Sequence, residues 1–300
     1  MAAFVTRNNG YTSAAVMATA MINDLQANGF VLKYVNLGTV SDVSPNITAT
    51  KATLQAGPTV DPLSITQPWR IMIDAVTLST SINVWLGTST QLANGSGTTT
   101  GAFNIVIANV AILGALLLDN YNIAVSPRGL VIYCYNSQSD YGSYGLIACQ
   151  RLVNRATGAV LTTAHSPVVA MGITGILAPI MLNCSIIRED DVLIPTTALS
   201  ISGTPTLRAT FSVNMSTSPP PQCDYANEYL IFNMGGFAAS RGLYLEEFDM
   251  LMWTNGAPYL SHVNQTLLAY GDNRTYFLTK NNNASTGCRF LILQSGGGMP

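Results

Sequence analysis

The sequence predicts a mainly β fold of the α+β class: antiparallel β-sandwich or barrel units with one N-terminal amphipathic helix. Three observations predict it. One segment near the start carries apolar residues at helical spacing. Short runs rich in β-branched and aromatic residues follow it, and turn-forming clusters separate those runs.

The helical segment lies in "YTSAAVMATAMINDLQANGF", residues 11–30. Thr12 or Ser13 stands at the N-cap, and Ala14, Met17, Met21 and Leu25 form one stripe at three- and four-residue spacing. Asn28-Gly29 supplies a left-handed stop, so a helix is expected within 11–28 with its methionine stripe turned to a core.

The β runs are "FVLKYVNL" (30–37), "WRIMIDAV" (69–76), "INVWL" (82–86), "GLVIYCY" (129–135) and "YGLIACQRLV" (144–153). "TLRATFSV" (206–213), "EYLIFNM" (228–234) and "CRFLIL" (288–293) complete the set. "LANGSG", "WTNGAPY", "YGDNRTY" and "NNNASTG" punctuate them as turns. The stretch 55–68, with Pro58, Pro62 and Pro68, reads as an extended arm over a surface. "SPPPQC" favours a semi-rigid polyproline link. The expected organisation is a β-rich main domain at 1–215, a linker at 216–223, and a C-terminal β segment at 224–300 with a glycine tail.

Composition narrows the function classes. Charged residues make up 9% of the chain and the net charge is -2, against about a quarter charged in a typical soluble domain. Hydrophobic residues reach 48%, which excludes disorder as the general state. The 13 basic residues are scattered singly, so the clustered footprint that phosphate backbones require is missing and no nucleic-acid partner is expected. The 5 cysteines (Cys134, Cys149, Cys184, Cys223 and Cys288) form no CxxC and read as small buried hydrophobes in a reducing cytoplasm. "MAAFVTRNNG" has neither the basic nor the apolar region of a secretory signal. The sequons at Asn46, Asn94, Asn183, Asn214, Asn264, Asn273 and Asn283 then reflect an Asn/Ser/Thr-rich composition rather than glycosylation.

Residues 156–187 contain no Lys, Arg, Asp or Glu, and neither do residues 76–118. Neither stretch suits a membrane span. The apolar core 168–182 would reach about 22 Å as a helix, short of a hydrocarbon layer of roughly 30 Å. Pro179, Gly172 and Gly175 interrupt it. The run 105–118 is also short and carries Asn109. Both read as buried strands or short core helices, partly covered by a neighbouring chain. Val110, Ile112, Leu113, Val168, Met171, Ile176 and Leu177 are the candidate interface residues.

No constellation for chemistry stands out. The 2 histidines, His165 and His262, each adjoin a serine but lie in no nucleophile-elbow or zinc pattern. Glu247 and Asp249 would share one strand face about 7 Å apart, a spacing open to glycoside hydrolysis. No sugar-stacking platform adjoins them in sequence, so an interface or solvent face is preferred. "REDD" (188–191) reads as a solvated turn, and "QSGGGMP" opens no helix that would cradle phosphate. No catalytic residue, metal site or cofactor is expected.

"NNGYTSAAVMATAMINDLQANGF", "ACQRLVNRATGAVLTTAHSPVVAMG" and "NASTGCRFLILQSGGGMP" resemble virion structural proteins of tailed bacteriophages. The resemblance covers about half of the chain in pieces and carries no catalytic or metal motif. It implies a non-enzymatic subunit made in the bacterial cytoplasm and built into the virion, in the tail, neck or baseplate region. Its expected partners are further copies of itself and other virion proteins. Two other classes stay open. A receptor- or carbohydrate-binding tail protein would expose Trp69, Trp85, Trp253 and the tyrosines of "DYGSYG"; a tail-associated hydrolase would line a cleft with Glu247 and Asp249.

Overall fold

The computed structural model describes residues 3–35, 38–39, 51–75, 81–88, 92, 103–109, 118–127, 129–136, 144–151, 168–175, 181–187 and 193–196. Beyond these it describes the short segments 208–209, 231–233, 236–238, 243–245, 251–254, 266–268, 275–279 and 289–295. The chain is mainly β: antiparallel sheets with one helix near the N-terminus. Among the described residues the sheets are open and none closes into a barrel.

Strand β1 (Ala3–Arg7) precedes helix α1 (Ala14–Ala27). Next come β2 (Phe30–Val35), β3 (Gly38–Thr39), β4 (Lys51–Ala56), β5 (Trp69–Asp74), β6 (Ser81–Thr88) and β7 (Phe103–Asn109). They form a six-stranded sheet in the order β3-β2-β4-β5-β6-β7. Strands β8 (Asn120–Ser126), β9 (Gly129–Tyr135), β10 (Tyr144–Arg151), β11 (Val168–Gly175), β12 (Met181–Ile187) and β13 (Leu193–Thr196) meander in sequence order. With β1 added beside β8 they make a seven-stranded sheet. The rest are β14 (Arg208–Ala209), β15 (Ile231–Asn233), β16 (Gly236–Ala238), β17 (Leu243–Leu245), β18 (Leu251–Thr254), β19 (Thr266–Leu268), β20 (Thr275–Leu278) and β21 (Arg289–Ser295). They divide into a three-stranded sheet, β14-β16-β17, and a five-stranded sheet, β15-β18-β21-β20-β19.

Helix α1 follows the sequence pattern closely. Ala14, Met17, Met21 and Leu25 are fully buried, together with Ala18 and Ile22. Ser13 is the N-cap residue with extended backbone, although its hydroxyl makes no capping bond. Asn28 closes the helix and Gly29 turns out at φ 92. There the backbone of Gly57 donates to the Gly29 carbonyl at 3.1 Å, an approach that leaves no room for a Cβ on Gly57.

One apolar core joins α1, one face of the six-stranded sheet (Leu32, Leu54, Ile71, Val84, Leu86) and one face of the seven-stranded sheet (Tyr121, Ile123, Ile132, Cys149). The opposite face of the seven-stranded sheet is covered as well at β1 and β9. Phe277 of β20 packs against Phe4, Tyr133 and Tyr135, with ring centroids 5.7–6.4 Å apart. Every residue of β9 is therefore buried, which is why "GLVIYCY" reads as an unbroken apolar run rather than an alternation.

One expectation changes. The segment after Ala56 is not an extended arm. It folds into consecutive tight turns, with Asp61 N–H bonding to Gly57 O at 2.8 Å and Gln67 N–H to Leu63 O at 2.8 Å. Proline fixes φ near the value that such turns need, and a buried aspartate, described below, pins them inward. In the apolar stretch the strand alternative is the one observed: β11 and β12 pair antiparallel, from Val168 opposite Ile187 to Thr174 opposite Met181. Among the described residues no helix is long and apolar enough to cross a membrane.

Candidate functional site

The most distinctive site lies along β8, at the edge where β1 docks. Ala3 to Arg7 pair antiparallel with Val125 to Tyr121, and strand alternation sends Phe4 and Arg7 to opposite faces of the sheet. Phe4 meets Phe277 on the side of the five-stranded sheet. Arg7 turns toward α1, where Nε and Nη2 reach the two carboxylate oxygens of Asp24 at 2.8 and 2.5 Å. Tyr121 adds its hydroxyl to Asp24 Oδ2 at 2.7 Å. β1 thus touches the helix on one face of its sheet and the five-stranded sheet on the other.

Asp24 is 6% exposed on a helix face otherwise lined with alanine, methionine and leucine. A carboxylate there must be paired, because an uncompensated buried charge is costly. The two-point contact with guanidinium suits arginine rather than lysine. The carboxylate in turn holds the Arg7 guanidinium above its ordinary value. Burial, then the bond to Asp24, pushes the Tyr121 phenol well above its own. Beyond Arg7 the chain turns through Gly10 at φ 60, with Gly10 N–H on Asn120 Oδ1 at 3.0 Å and Tyr11 N–H on Asp119 O at 2.7 Å. Tyr11 stacks on Tyr121 at 5.7 Å, and the Tyr135 hydroxyl donates to Asn8 Oδ1 at 2.5 Å.

A second polar cluster is wholly interior. Arg151 on β10 sends Nε and Nη2 to Asp61 Oδ2 at 3.0 and 2.8 Å, and Nη2 also meets the Gln67 carbonyl. The Trp69 indole N–H donates to the same carboxylate oxygen at 2.9 Å, while Leu63 N–H bonds Oδ1 at 3.1 Å. Arg151 and Asp61 have side chains 2% and 1% exposed. With both charges sealed and each carboxylate oxygen engaged, this cluster ties the turns of 57–68 to the seven-stranded sheet. It is a structural anchor and offers no access to substrate.

A third feature is the face of the six-stranded sheet opposite the core. Tyr34, Thr53, Met72 and Trp85 lie in one cross-strand row there. The Thr53 hydroxyl and the Trp85 indole nitrogen are buried without hydrogen-bond partners. Arg70, one row along, lies over the Tyr34 ring at 5.5 Å and donates to Gln55 Oε1 at 3.3 Å.

Of the predicted interface residues, Val168 and Met171 lie on β11, an inner strand paired on both sides by β10 and β12. Val110, Ile112, Leu113, Ile176 and Leu177 lie outside the described residues. So do His165, His262, Glu247, Asp249 and residues 188–191, the positions weighed for chemistry. Among the described residues no group of three or more His, Cys, Asp or Glu could hold a metal. Cys134 and Cys149 are free and fully buried, and burial raises both thiols. Trp69 is 1% exposed and cannot stack on an external sugar; Trp85 is half-buried.

Sequence reasoning missed Arg7, Asp24, Asp61, Tyr121 and Arg151 as the polar anchors. Asp24 carried a readable signal. It stands three residues after Met21 and one before Leu25, a carboxylate on an apolar stripe that needs a cation from elsewhere. No protein-family model matches the chain, and no curated protein matches it either.

Proposed function

We propose that the chain is a non-enzymatic structural subunit of a bacteriophage virion, built into a ring or layer of the tail, neck or baseplate after synthesis in the host cytoplasm. The observation that carries this reading is the scarcity of charge. Only 9% of residues are charged. Arg7 with Asp24, Lys51 with Asp74 and Arg151 with Asp61 are paired within the chain. An exterior poor in charge suits faces that neighbouring subunits cover, because permanent interfaces are more apolar than solvated surface.

The test is particle composition together with charge insertion. Mass spectrometry of purified particles is expected to find the chain in many copies. Val110→Asp or Ile176→Asp is expected to leave the chain folded but exclude it from particles. A chain that is absent from particles and monomeric at high concentration would sink the reading.

A second reading, a carbohydrate-binding tail protein, draws on the half-buried rings of Tyr34 and Trp85. Indole and phenol rings offer stacking surfaces. Binding to a glycan panel that Trp85→Ala abolishes would favour it over assembly alone.

A further inference from the structure

We propose that the slot along β8 accepts the β1 strand of a second copy of this chain, so that subunits join by exchanging their N-terminal strands. The inference rests on the assembly reading and names the contact that assembly would use.

The slot is specific on both faces. On one side the rings of Phe277, Tyr133 and Tyr135 receive Phe4. On the other, Asp24 and Tyr121 form a polar socket for a guanidinium. Between them the β8 backbone offers a ladder from Val125 to Tyr121. An occupant must be an extended segment with an aromatic residue followed three positions later by arginine. Residues 3–7, "AFVTR", supply that spacing in every copy.

The slot cannot stand empty at low cost. Without β1, the Asp24 carboxylate loses its cation and β8 becomes a bare edge. The occupant, by contrast, is loosely tied to its own chain. β1 lies at the end of the sheet and is paired along one side only. Its connection to α1 runs through the exposed residues Asn8 and Asn9, which form the hinge. Beyond that hinge, the backbone bonds of Gly10 and Tyr11 and the Tyr11–Tyr121 stack keep α1 docked. Residues 3–8 can therefore swing without unfolding the helix. Identical contacts form whether the strand comes from the same chain or a neighbour, so the choice is set by local concentration and hinge geometry rather than contact energy. A growing virion layer supplies that concentration.

Thr6 lies opposite Asn122 in the β1–β8 register, which allows a direct experiment. Two full-length variants, Thr6→Cys and Asn122→Cys, carry tags of different size, are co-expressed, and are oxidised under native conditions. Wild-type chains run in parallel account for the native cysteines. Strand exchange predicts a covalent heterodimer that neither variant forms alone, in a yield that rises with concentration. Adding Phe4→Ala or Arg7→Ala to the Thr6→Cys chain should lower that yield about tenfold, as expected for one lost anchor. The pair Ala3→Cys and Val125→Cys repeats the test at the other end of the ladder, should Asn122→Cys disturb folding. Light scattering on the same samples separates the two ideas. If the chain oligomerises while the double variant Thr6→Cys/Asn122→Cys closes only within itself, strand exchange is wrong and assembly stands. If the chain is monomeric at every concentration and no heterodimer forms, both are wrong.

Discussion

Arg7 on β1 and Asp24 on α1 are joined by two N–H···O bonds of 2.8 and 2.5 Å, one to each carboxylate oxygen. Asp24 is the buried partner and Arg7 the half-exposed one, with side chains 9% and 44% exposed. Removing the arginine is therefore expected to hurt more than its own exposure suggests. Arg7→Met should lower stability by about 1–3 kcal/mol, because the carboxylate stays behind without its cation. Arg7→Lys should recover only part of this, since an ammonium cannot span both oxygens. Urea unfolding midpoints would check both; equal stability of wild type and Arg7→Met would show that the pair does not hold the strand.

The Arg151–Asp61 pair is sealed from water, so its two single variants should be far worse than the double. Arg151→Met or Asp61→Leu alone should cost roughly 3–5 kcal/mol, each leaving an unpaired buried charge. Arg151→Met/Asp61→Leu together should cost less than either, because no charge then remains inside. Chemical denaturation of the full double-mutant cycle reads the coupling. Strict additivity would contradict the buried geometry.

Alkaline pH should loosen the fold through its tyrosines. Burial, and next the nearby Asp119 carboxylate, push the Tyr135 phenol up to about 12 from the ordinary 10.0. Tyr121 shifts in the same direction. A raised folded value means that the folded state keeps its proton after the unfolded chain has lost it. The contribution is thus whole below pH 10, falls between pH 10 and 12, and then levels off for Tyr135. Melting temperature followed from pH 8 to 12 should decline through that window, and Tyr135→Phe should flatten the decline. An unchanged slope in Tyr135→Phe would remove Tyr135 as a cause.

Gly129 starts β9 where a Cβ would run into the backbone carbonyl of Cys149 on β10. The obstacle is main chain in the middle of a sheet, so it cannot rotate away. Gly129→Ala should destabilise by about 1–3 kcal/mol, the usual range for overpacking. Gly10→Ala should cost less, since strain at positive φ is its only penalty. Thermal melts of the two variants side by side would show the difference, and an equal effect would argue against the close strand approach.

What the sequence disclosed, and what it withheld, follows physical lines. The helix at 14–27 was legible because Met17, Met21 and Leu25 repeat at its period and Gly29 ends it. "GLVIYCY" matched β9 from first residue to last, because β-branched and aromatic residues cluster there. Strands β1 and β8 were passed over: "AFVTR" and "NYNIAVS" mix polar with apolar residues, and only pairing across the chain makes them strands. The anchors were hidden for the same reason. Asp61 and Arg151 lie 90 residues apart, a distance over which local pattern carries no information. The turns at 57–68 were read as extended because proline suits both states, and the arginine that decides between them lies in another sheet.

The double burial of the seven-stranded sheet also bears on how the protein is made. Tyr133 and Tyr135 leave the ribosome long before Phe277, the ring that packs on both. At translation rates of about 5–20 residues per second, that interval is on the order of ten seconds. During it, the nascent chain presents an aromatic face on a partly built sheet. Hydrophobic surface exposed for that long is what chaperones bind and what co-aggregates in a crowded cell. Yield in heterologous expression should therefore depend on the supply of chaperones that hold nascent chains, and slower synthesis at low temperature should not replace it.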